Sequence, residues 1–216
     1  MSGSDPRISL FAVFTSVRFG FGICQHEYVV ELLLDARDTS RVLALYDVFD
    51  LLGQVETFFL NDIAVLYNAD VIVFEHLDRN GKVRGSKKQK LKLWRSQEVQ
   101  SIVTNKAHRL GIRISRICAW HTSRLAYDGS GRVVRGKEGG FSTYELCKFQ
   151  NGKIYNCDLS ASYNIGARYF IREILKSLDE SSRLAIEAKV PQSVKRSTCT
   201  FSTLVNLNAE IIAQTA

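Results

Sequence analysis

The sequence lacks any long apolar run. No stretch reaches the roughly 18 to 20 apolar residues that a helix needs to cross a bilayer. The segment from Met1 to Pro6 also lacks the charged start and the apolar stretch of a secretory signal. These two absences argue against a membrane-spanning or secreted chain. We therefore expect a cytoplasmic protein with no membrane partner.

Paired cysteines and internal repeats are missing as well. No CxxC pair occurs, and the five cysteines are odd in number and widely spaced, at Cys24, Cys118, Cys147, Cys157 and Cys199. This pattern argues against a disulfide framework. We expect free thiols, most of them buried.

What the sequence does contain suits an α/β domain of ordinary size with an inserted small module. Its 216 residues are 45% hydrophobic, which is enough for a proper core. The 29 Lys and Arg residues exceed the 22 Asp and Glu residues, giving a net charge of +7. This excess of positive charge favours a polyanionic partner.

Periodicity in the first third of the chain predicts two strands, a helix and a third strand. The segments from Ile8 to Phe14 and from Tyr28 to Leu34 are rich in β-branched and aromatic residues, as strands are. From Thr39 to Tyr67 apolar residues recur at intervals of three and four, which predicts one long helix. The continuous apolar run from Val71 to Phe74 is too short for a helix and predicts a strand buried on both faces of a partly parallel sheet.

The next segments predict a βαβ unit followed by an inserted module. The unit comprises the strand ending at Phe74, a helix from Lys87 to Leu110 and a strand from Ile112 to Trp120. With residues 1–120 as the first part of the core, residues 121–155 have little periodicity and form the predicted insertion.

A final core helix and a tail complete the predicted order. Asn156 is a suitable N-cap for a helix that runs to Leu178 and completes the core. Residues 179–216 form the predicted tail, with a short helix from Ser181 to Ala188 and a loosely packed segment from Pro191 to Thr200.

Two carboxylates stand at positions where α/β proteins place functional groups. Glu75 follows the buried strand directly, and the carboxyl ends of strands are where α/β sheets bind ligands. Asp158 lies in the first turn of the last core helix, where the helix dipole stabilises a carboxylate in any protein. Each position therefore also has an ordinary structural explanation.

The segments around these carboxylates resemble a known nuclease family. ADVIVFEHLD, from Ala69 to Asp78, is similar to the second motif of the RuvC-type domain in TnpB insertion-sequence proteins and type V CRISPR effectors, the Cas12 proteins. CDLSASYNIGARYF, from Cys157 to Phe170, is similar to the third motif. Between them, SRICAWHTSRLAYDG resembles the family segment that leads through Thr-Ser into a zinc ribbon. The three motifs occur in the family's order.

The resemblance implies an RNase H-like mixed sheet with flanking helices. It also implies an RNA-guided DNA endonuclease, of the kind commonly called a transposase. Glu75 and Asp158 would be the second and third catalytic carboxylates and the ligands of Mg²⁺, which activates water and stabilises the leaving oxygen. Asn164 and Ile165 belong to the helical signature. DNA would be the partner, together with a guide RNA.

The family's first motif, an aspartate on the opening strand, has no counterpart here. The predicted first strand contains no acid, and neither Asp5 nor Glu27 has the family's surroundings. The guide-binding and target-recognition regions that precede the motif in the family are also absent. Because nuclease carboxylates position and neutralise charge as a unit, the loss of one removes most of the rate. We therefore expect weak activity or none.

The zinc-ribbon positions have also diverged. Structural zinc takes four Cys or His ligands, usually from two CxxC-like pairs. The four family positions here are occupied by Ala126, Gly129, Cys147 and Gln150. We expect a degenerate ribbon without zinc, held together in another way.

Basic residues indicate where nucleic acid would bind. One group follows Glu75 and includes Lys87, Lys88 and Lys90, and a second surrounds the insertion and includes Arg113, Arg116 and Arg124. Lys and Arg in such groups contact phosphates, although a solvated helix face explains the first group equally well. Arg124, directly after Thr122 and Ser123, is the strongest candidate. Trp120, Tyr127 and Phe141 could stack on bases, but packing is the more ordinary role for each.

These observations lead to three functional hypotheses. The first is a nucleic-acid-binding RuvC-like fragment of a TnpB-like or type V effector-like protein, which binds nucleic acid but cleaves it weakly or not at all. The second is an active Mg²⁺-dependent DNA endonuclease whose third carboxylate comes from Asp5, another residue or a second polypeptide. The third is a structural or regulatory remnant with neither activity.

Overall fold

The protein has a mixed α/β fold. The structure, a computed structural model, describes residues 11–17, 27–33, 41–45, 60–62, 64–65, 67–76 and 87–215. The chain divides into two compact units. The N-terminal unit comprises Met1–Val73 and Asp78–Ser115, and the C-terminal unit comprises Phe74–Leu77 and Arg116–Ala216.

Five strands pair in sequence order into one sheet: β1 (Phe11–Val17), β2 (Glu27–Leu33), β3 (Arg41–Leu45), β4 (Val71–Glu75) and β5 (Arg113–Ile117). The first three strands are antiparallel, with Phe14 opposite Val30 and Val30 opposite Ala44. Strand β3 then runs parallel to β4, with Ala44 opposite Val73. The sheet is therefore mixed.

Strand β4 is buried as its uninterrupted apolar run predicts. Val71, Ile72, Val73 and Phe74 are all buried, and Glu75 is half-buried. Backbone hydrogen bonds from Arg113 N to Asp70 O (2.9 Å) and from His76 N to Ile117 O (2.7 Å) flank the pairing with β5. Residue numbers increase in the same direction on both strands, from Asp70 to His76 and from Arg113 to Ile117, so β4 and β5 are parallel. The predicted βαβ unit is confirmed.

Helix α1 (Lys87–Arg109) connects these two strands within the N-terminal unit. Val99, Val103 and Ala107 are spaced four residues apart on one face of this helix, and all three are buried. Lys106 Nζ lies 3.2 Å from Asp62 Oδ1 in an exposed ion pair. The predicted helix from Lys87 to Leu110 is thus confirmed to within one residue.

The long helix predicted from Thr39 to Tyr67 is wrong in its first part. Residues Arg41–Leu45 form strand β3 between β2 and β4. Residues 60–62 and 64–65 are helical, and residues 46–59 lie outside the described part. A short apolar run such as VLAL fits a buried strand as well as a helix face, and pairing with two neighbouring strands decides between them.

The inserted module contains a small antiparallel sheet in the C-terminal unit. Its strands are β6 (Val134–Arg135), β7 (Leu146–Lys148) and β8 (Ile154–Asn156), and a 3-10 turn, Gly136–Gly139, follows β6. Strands this short carry too few residues for a period of two to be visible, so the sequence predicted only a loop or small module here.

Helix α2 (Cys157–Ser177) is the central helix of the C-terminal unit. Residues 160–171 are all buried, as expected of a helix surrounded by other elements. The Asn156 side chain caps the helix, with its Oδ1 accepting from the backbone N–H groups of Asp158 (2.9 Å) and Leu159 (3.0 Å). The predicted cap is confirmed, and so is the predicted extent of the helix.

The segment predicted to be a tail folds back onto α2. Helix α3 (Glu180–Lys189), capped by Asp179, leads through a 3-10 turn (Pro191–Ser193) to helix α4 (Phe201–Thr215), which packs against α2. Val190, Cys199, Leu204 and Leu207 are buried. In the predicted loose segment from Pro191 to Thr200, Ser193, Cys199 and Thr200 are buried, whereas six of the other seven residues are exposed. Within the described ranges, no helix is both long and apolar enough to span a bilayer.

Candidate nucleic-acid interface

The Glu75 carboxylate accepts a hydrogen bond from a threonine of the predicted Thr-Ser segment. Its position at the end of β4 follows from the hydrogen-bonded ladder that holds this strand in the sheet. The Thr122 hydroxyl, which is buried, donates to Glu75 Oε1. A hydrogen bond from a buried hydroxyl to a carboxylate is charge-assisted and stronger than one between neutral groups. One oxygen of Glu75 is therefore engaged in holding the Thr-Ser segment.

Asn164, from the helical signature, anchors the same segment to helix α2. This side chain is fully buried, and its Nδ2 donates to the carbonyl oxygens of Thr122 (3.0 Å) and Leu125 (2.8 Å). Its Oδ1 accepts from the backbone N–H of Phe201 at 3.1 Å. The amide thus uses both donors and its acceptor to join the Thr-Ser segment, α2 and the start of α4.

A buried arginine, Arg168, ties the residues before Thr122 to the residues before α4. Only 4% of Arg168 is exposed. Its guanidinium donates to four backbone carbonyl oxygens, those of Cys118 (2.6 Å), Trp120 (2.8 Å), Ser197 (3.0 Å) and Cys199 (3.1 Å). Arg168 is not among the predicted site residues, because the sequence around it carries no signal that distinguishes a buried arginine from an exposed one.

The Glu75 carboxylate favours the charged form of Arg168. Burial lowers the pKa of Arg168 by penalising its charged form, and neighbouring groups that include the Glu75 carboxylate act in the opposite direction. Arginine nevertheless stays protonated in proteins. Glu75 therefore has two structural tasks: it accepts from Thr122, and its negative charge offsets a buried positive one.

Asp158 lies in the first turn of α2, beside the inserted module. It is half-buried, and its carbonyl oxygen accepts from the Ser162 hydroxyl at 3.0 Å. Its carboxylate acts electrostatically on the buried thiols of Cys147 and Cys157. Arg168 follows ten residues later, which is about 15 Å along the helix axis. Both predicted carboxylates thus belong to the C-terminal unit, but they have different neighbours.

The two thiols beside Asp158 interact with each other. Cys147 Sγ also donates to Tyr155 O at 3.4 Å. The interaction with Cys147 is the largest influence on the Cys157 thiol and lowers its pKa, while the same interaction and burial raise the pKa of Cys147. The pair therefore favours a single thiolate over two.

The donor groups for Mg²⁺ are incomplete in the described part of the chain. There, no three side chains among His, Cys, Asp and Glu are grouped so that they could share an ion. A metal pair for phosphodiester cleavage needs such a set of hard oxygen ligands. A third carboxylate would have to come from outside the described residues, where Asp5 lies.

Two of the four zinc-ribbon positions, Ala126 and Cys147, lie in a packed core, whereas Gly129 and Gln150 are exposed. Ala126 and Cys147 are fully buried in a cluster with Val133, Phe149 and Cys157. Only Cys147 of the four family positions offers a zinc ligand, which does not fit a structural zinc site.

Aromatic side chains hold the module instead. The Tyr127 ring contacts four other rings at centroid distances of 4.8 to 6.3 Å, those of Phe149, Tyr155, Tyr163 and Phe201. Lys153 Nζ donates to the Tyr127 hydroxyl at 2.7 Å and lies 4.6 Å from the centre of the Tyr155 ring. Such contacts join the module to α2 and α4.

Of the three residues considered for base stacking, Trp120 is the most accessible. Its side chain is 71% exposed and lies edge-on to His121, with ring centroids 5.7 Å apart. The packing role predicted as the more ordinary one is therefore wrong for Trp120, because Arg168 holds its backbone carbonyl while its ring faces solvent. Tyr127 does pack, and Phe141 is half-buried.

The predicted phosphate-binding residues lie at several places. Arg124 is exposed in the turn after Thr122, and its backbone N–H donates to His121 O at 3.1 Å. Arg113 and Arg116 are exposed on β5, but Arg113 belongs to the N-terminal unit and Arg116 to the C-terminal unit. Lys87, Lys88 and Lys90 lie in the first turn of α1. Trp120, His121 and Arg124 are thus exposed together on one segment.

Comparisons with known proteins assign no family to this chain. A scan against protein-family models and a search of curated proteins both find no match to this chain.

Proposed function

We propose that this protein contains a RuvC-like domain with an RNase H-like sheet, similar to TnpB proteins and type V CRISPR effectors, that binds single-stranded nucleic acid and does not cut it. The observation that carries the proposal is the engagement of Glu75 by Thr122 and its proximity to Arg168. Thr122 already engages one oxygen of this carboxylate, and within the described residues no group of three His, Cys, Asp or Glu side chains is placed to share a metal ion.

The segment that Glu75 holds supports the binding half of the proposal. Hydrogen bonds from Arg168 and Asn164 fix the carbonyls of Trp120, Thr122 and Leu125. The exposed Trp120 ring and the exposed Arg124 guanidinium are therefore presented from a fixed backbone. A ring for a base and a cation for a phosphate are the two parts of a sequence-tolerant site for single strands.

Replacing Trp120 with alanine is expected to weaken binding of single-stranded DNA by about tenfold, since one base–aromatic stack is worth roughly 1 to 3 kcal/mol. Arg124→Gln is expected to weaken it less and to reduce the salt dependence by about one phosphate contact. Fluorescence anisotropy with a labelled oligonucleotide at several salt concentrations measures both effects.

Tyr144→Ala is the matched control for Trp120, because Tyr144 is also an exposed aromatic residue of the C-terminal unit, at 69%. Equal loss in the two variants, or affinity of the unchanged protein that ignores added salt, would contradict this interface. No binding at all would favour the structural or regulatory remnant.

The cleavage alternative has its own test. Labelled single-stranded DNA in Mg²⁺, with and without guide-bearing RNA, is expected to stay intact with both the unchanged protein and Glu75→Gln. Glutamine keeps an oxygen that can accept from Thr122 but removes the charge that a metal ion needs. Cleavage by the unchanged protein that disappears in Glu75→Gln would overturn the proposal and establish the endonuclease with a carboxylate supplied from elsewhere.

A further inference from the structure

A cavity of about 510 Å³ lies in the C-terminal unit, between the second half of α2, helix α3 and the segment before α4. Part of its lining is apolar and comes from Ile117, Ile171, Leu175 and Val194. The volume is in the range of small-molecule sites, roughly 300 to 1,000 Å³. Neither Trp120 nor Arg124 lines the cavity, so it is separate from the proposed interface for single strands.

The charged side chains of the cavity are nearly all cationic. Six of them, set against the single carboxylate of Glu187, are Arg116, Arg168, Arg172, Lys176, Arg183 and Arg196. The three that α2 contributes are spaced four residues apart, so they follow one another along a single face of the helix. Side chains of one sign around a concave site repel each other and raise the local concentration of the opposite charge. The cavity therefore favours an anion of more than one charge.

The inner cations are held in place by contacts within the unit. Arg168 is fixed by its four carbonyl acceptors. Arg172 donates from Nη1 to Arg116 O at 3.0 Å and from Nε to Glu173 Oε1 at 2.6 Å, and its guanidinium lies 5.3 Å from the centre of the Tyr169 ring. Groups fixed before a ligand arrives lose little conformational freedom when it binds.

The outer cations are exposed. Lys176, Arg183 and Arg196 all face solvent. Lys176 Nζ lies 3.4 Å from Glu173 Oε1 and Arg183 Nε lies 3.9 Å from Glu187 Oε1, and exposed ion pairs of this kind are weak. Arginine can grip phosphate oxygens with two parallel N–H groups, and lysine adds a point charge. The rim of the cavity is thus suited to a phosphate chain.

We propose that this cavity binds a phosphorylated nucleotide. Lys176, Arg183 and Arg196 contact its phosphates, and its base lies against Ile171, Leu175 and Val194. The cavity is larger and more apolar than a site for inorganic phosphate needs to be. Its six cations are also more than a ligand with a single carboxylate would need. A free nucleotide and the phosphorylated end of a nucleic-acid strand share this chemistry, and the inference does not rest on the function proposed above.

The experiment measures binding of ATP, AMP and adenosine to the full chain by isothermal titration calorimetry. ATP is expected to bind more tightly than AMP, and adenosine is expected to show no measurable binding. Arg196→Gln should weaken ATP binding by about tenfold, on the order of one charge-assisted hydrogen bond. Lys195→Gln is the matched control, since Lys195 is the adjacent exposed cation and does not line the cavity.

Two short oligonucleotides, one with a 5′-phosphate and one with a 5′-hydroxyl, distinguish the sources of the nucleotide. Displacement of ATP by the 5′-phosphorylated strand alone assigns the cavity to strand ends, and displacement by neither strand assigns it to free nucleotides. Equal effects of Arg196→Gln and Lys195→Gln, or equal displacement by both strands, would overturn the proposal. So would the absence of binding by folded protein of both ATP and the 5′-phosphorylated strand.

Discussion

Replacing Arg168 with leucine is expected to lower the free energy of unfolding by about 4 kcal/mol, the largest loss that we expect from any single substitution in this protein. Four backbone carbonyls would lose their donor at once, and a buried acceptor left without one costs roughly 1 to 3 kcal/mol. Glu75 would also lose part of the electrostatic compensation that this cation provides. These costs overlap, so they do not add in full.

Urea unfolding followed by circular dichroism measures this loss. Arg168→Lys is expected to recover part of it, because an ammonium group keeps the charge but cannot reach four carbonyls with a planar fork. Arg183→Gln is the control, since Arg183 is an exposed arginine of the same unit, and it should change the free energy by less than about 0.5 kcal/mol. A loss below about 1 kcal/mol in Arg168→Leu would contradict this account, because it would mean that the four carbonyls are satisfied without the guanidinium.

The role of Arg168 connects stability to the proposed interface. Two of its acceptors, Cys118 and Trp120, immediately precede Thr122, and the other two immediately precede α4. The segment that presents Trp120 and Arg124 is therefore fixed by the interior of the unit. The resemblance to a nuclease family predicted catalytic roles for Glu75 and Asp158. The hydrogen bonds in the structure centre instead on Arg168, Thr122 and Asn164.

Local chemistry made several elements predictable from the sequence. The Asn156 cap is one, because its side chain satisfies backbone donors only two and three residues away. Strand β4 is another, because all four apolar residues before Glu75 are β-branched or aromatic, the types that favour strands. In these cases the residue types of the segment itself indicate its structure, so its sequence is sufficient for the prediction.

The elements that could not be predicted depend on distant partners. Strand β3 forms where helical spacing was equally acceptable, because β2 and β4 pair with it from both sides. Arg168 is buried because carbonyls 29 to 50 residues away accept its hydrogen bonds. The cavity residues of α2 carry a visible signal, a cation at every fourth position from Arg168 to Lys176. That spacing alone is equally typical of a solvated helix face.

The second large effect is expected at the centre of the inserted module, where Tyr127→Ala should lower the free energy of unfolding by about 3 kcal/mol. The substitution removes the ring that contacts Phe149, Tyr155, Tyr163 and Phe201, and it leaves a cavity among them. It also removes the hydroxyl that accepts from Lys153. Thermal unfolding and urea unfolding both measure the loss, and Tyr144→Ala, at an exposed position, serves as the control.

A chelator separates this packing explanation from a metal-based one. A zinc ribbon binds its metal as part of its folding free energy, so removing the metal unfolds it. A module held by rings and a lysine has no such dependence, and the unfolding midpoint of the unchanged protein should not move when a strong zinc chelator is added. A chelator that lowers the midpoint would contradict the packing explanation, and so would a Tyr127→Ala variant as stable as Tyr144→Ala. If both results are as expected, aromatic packing around Tyr127 stabilises this module in the place where the resembling family uses cysteine-bound zinc.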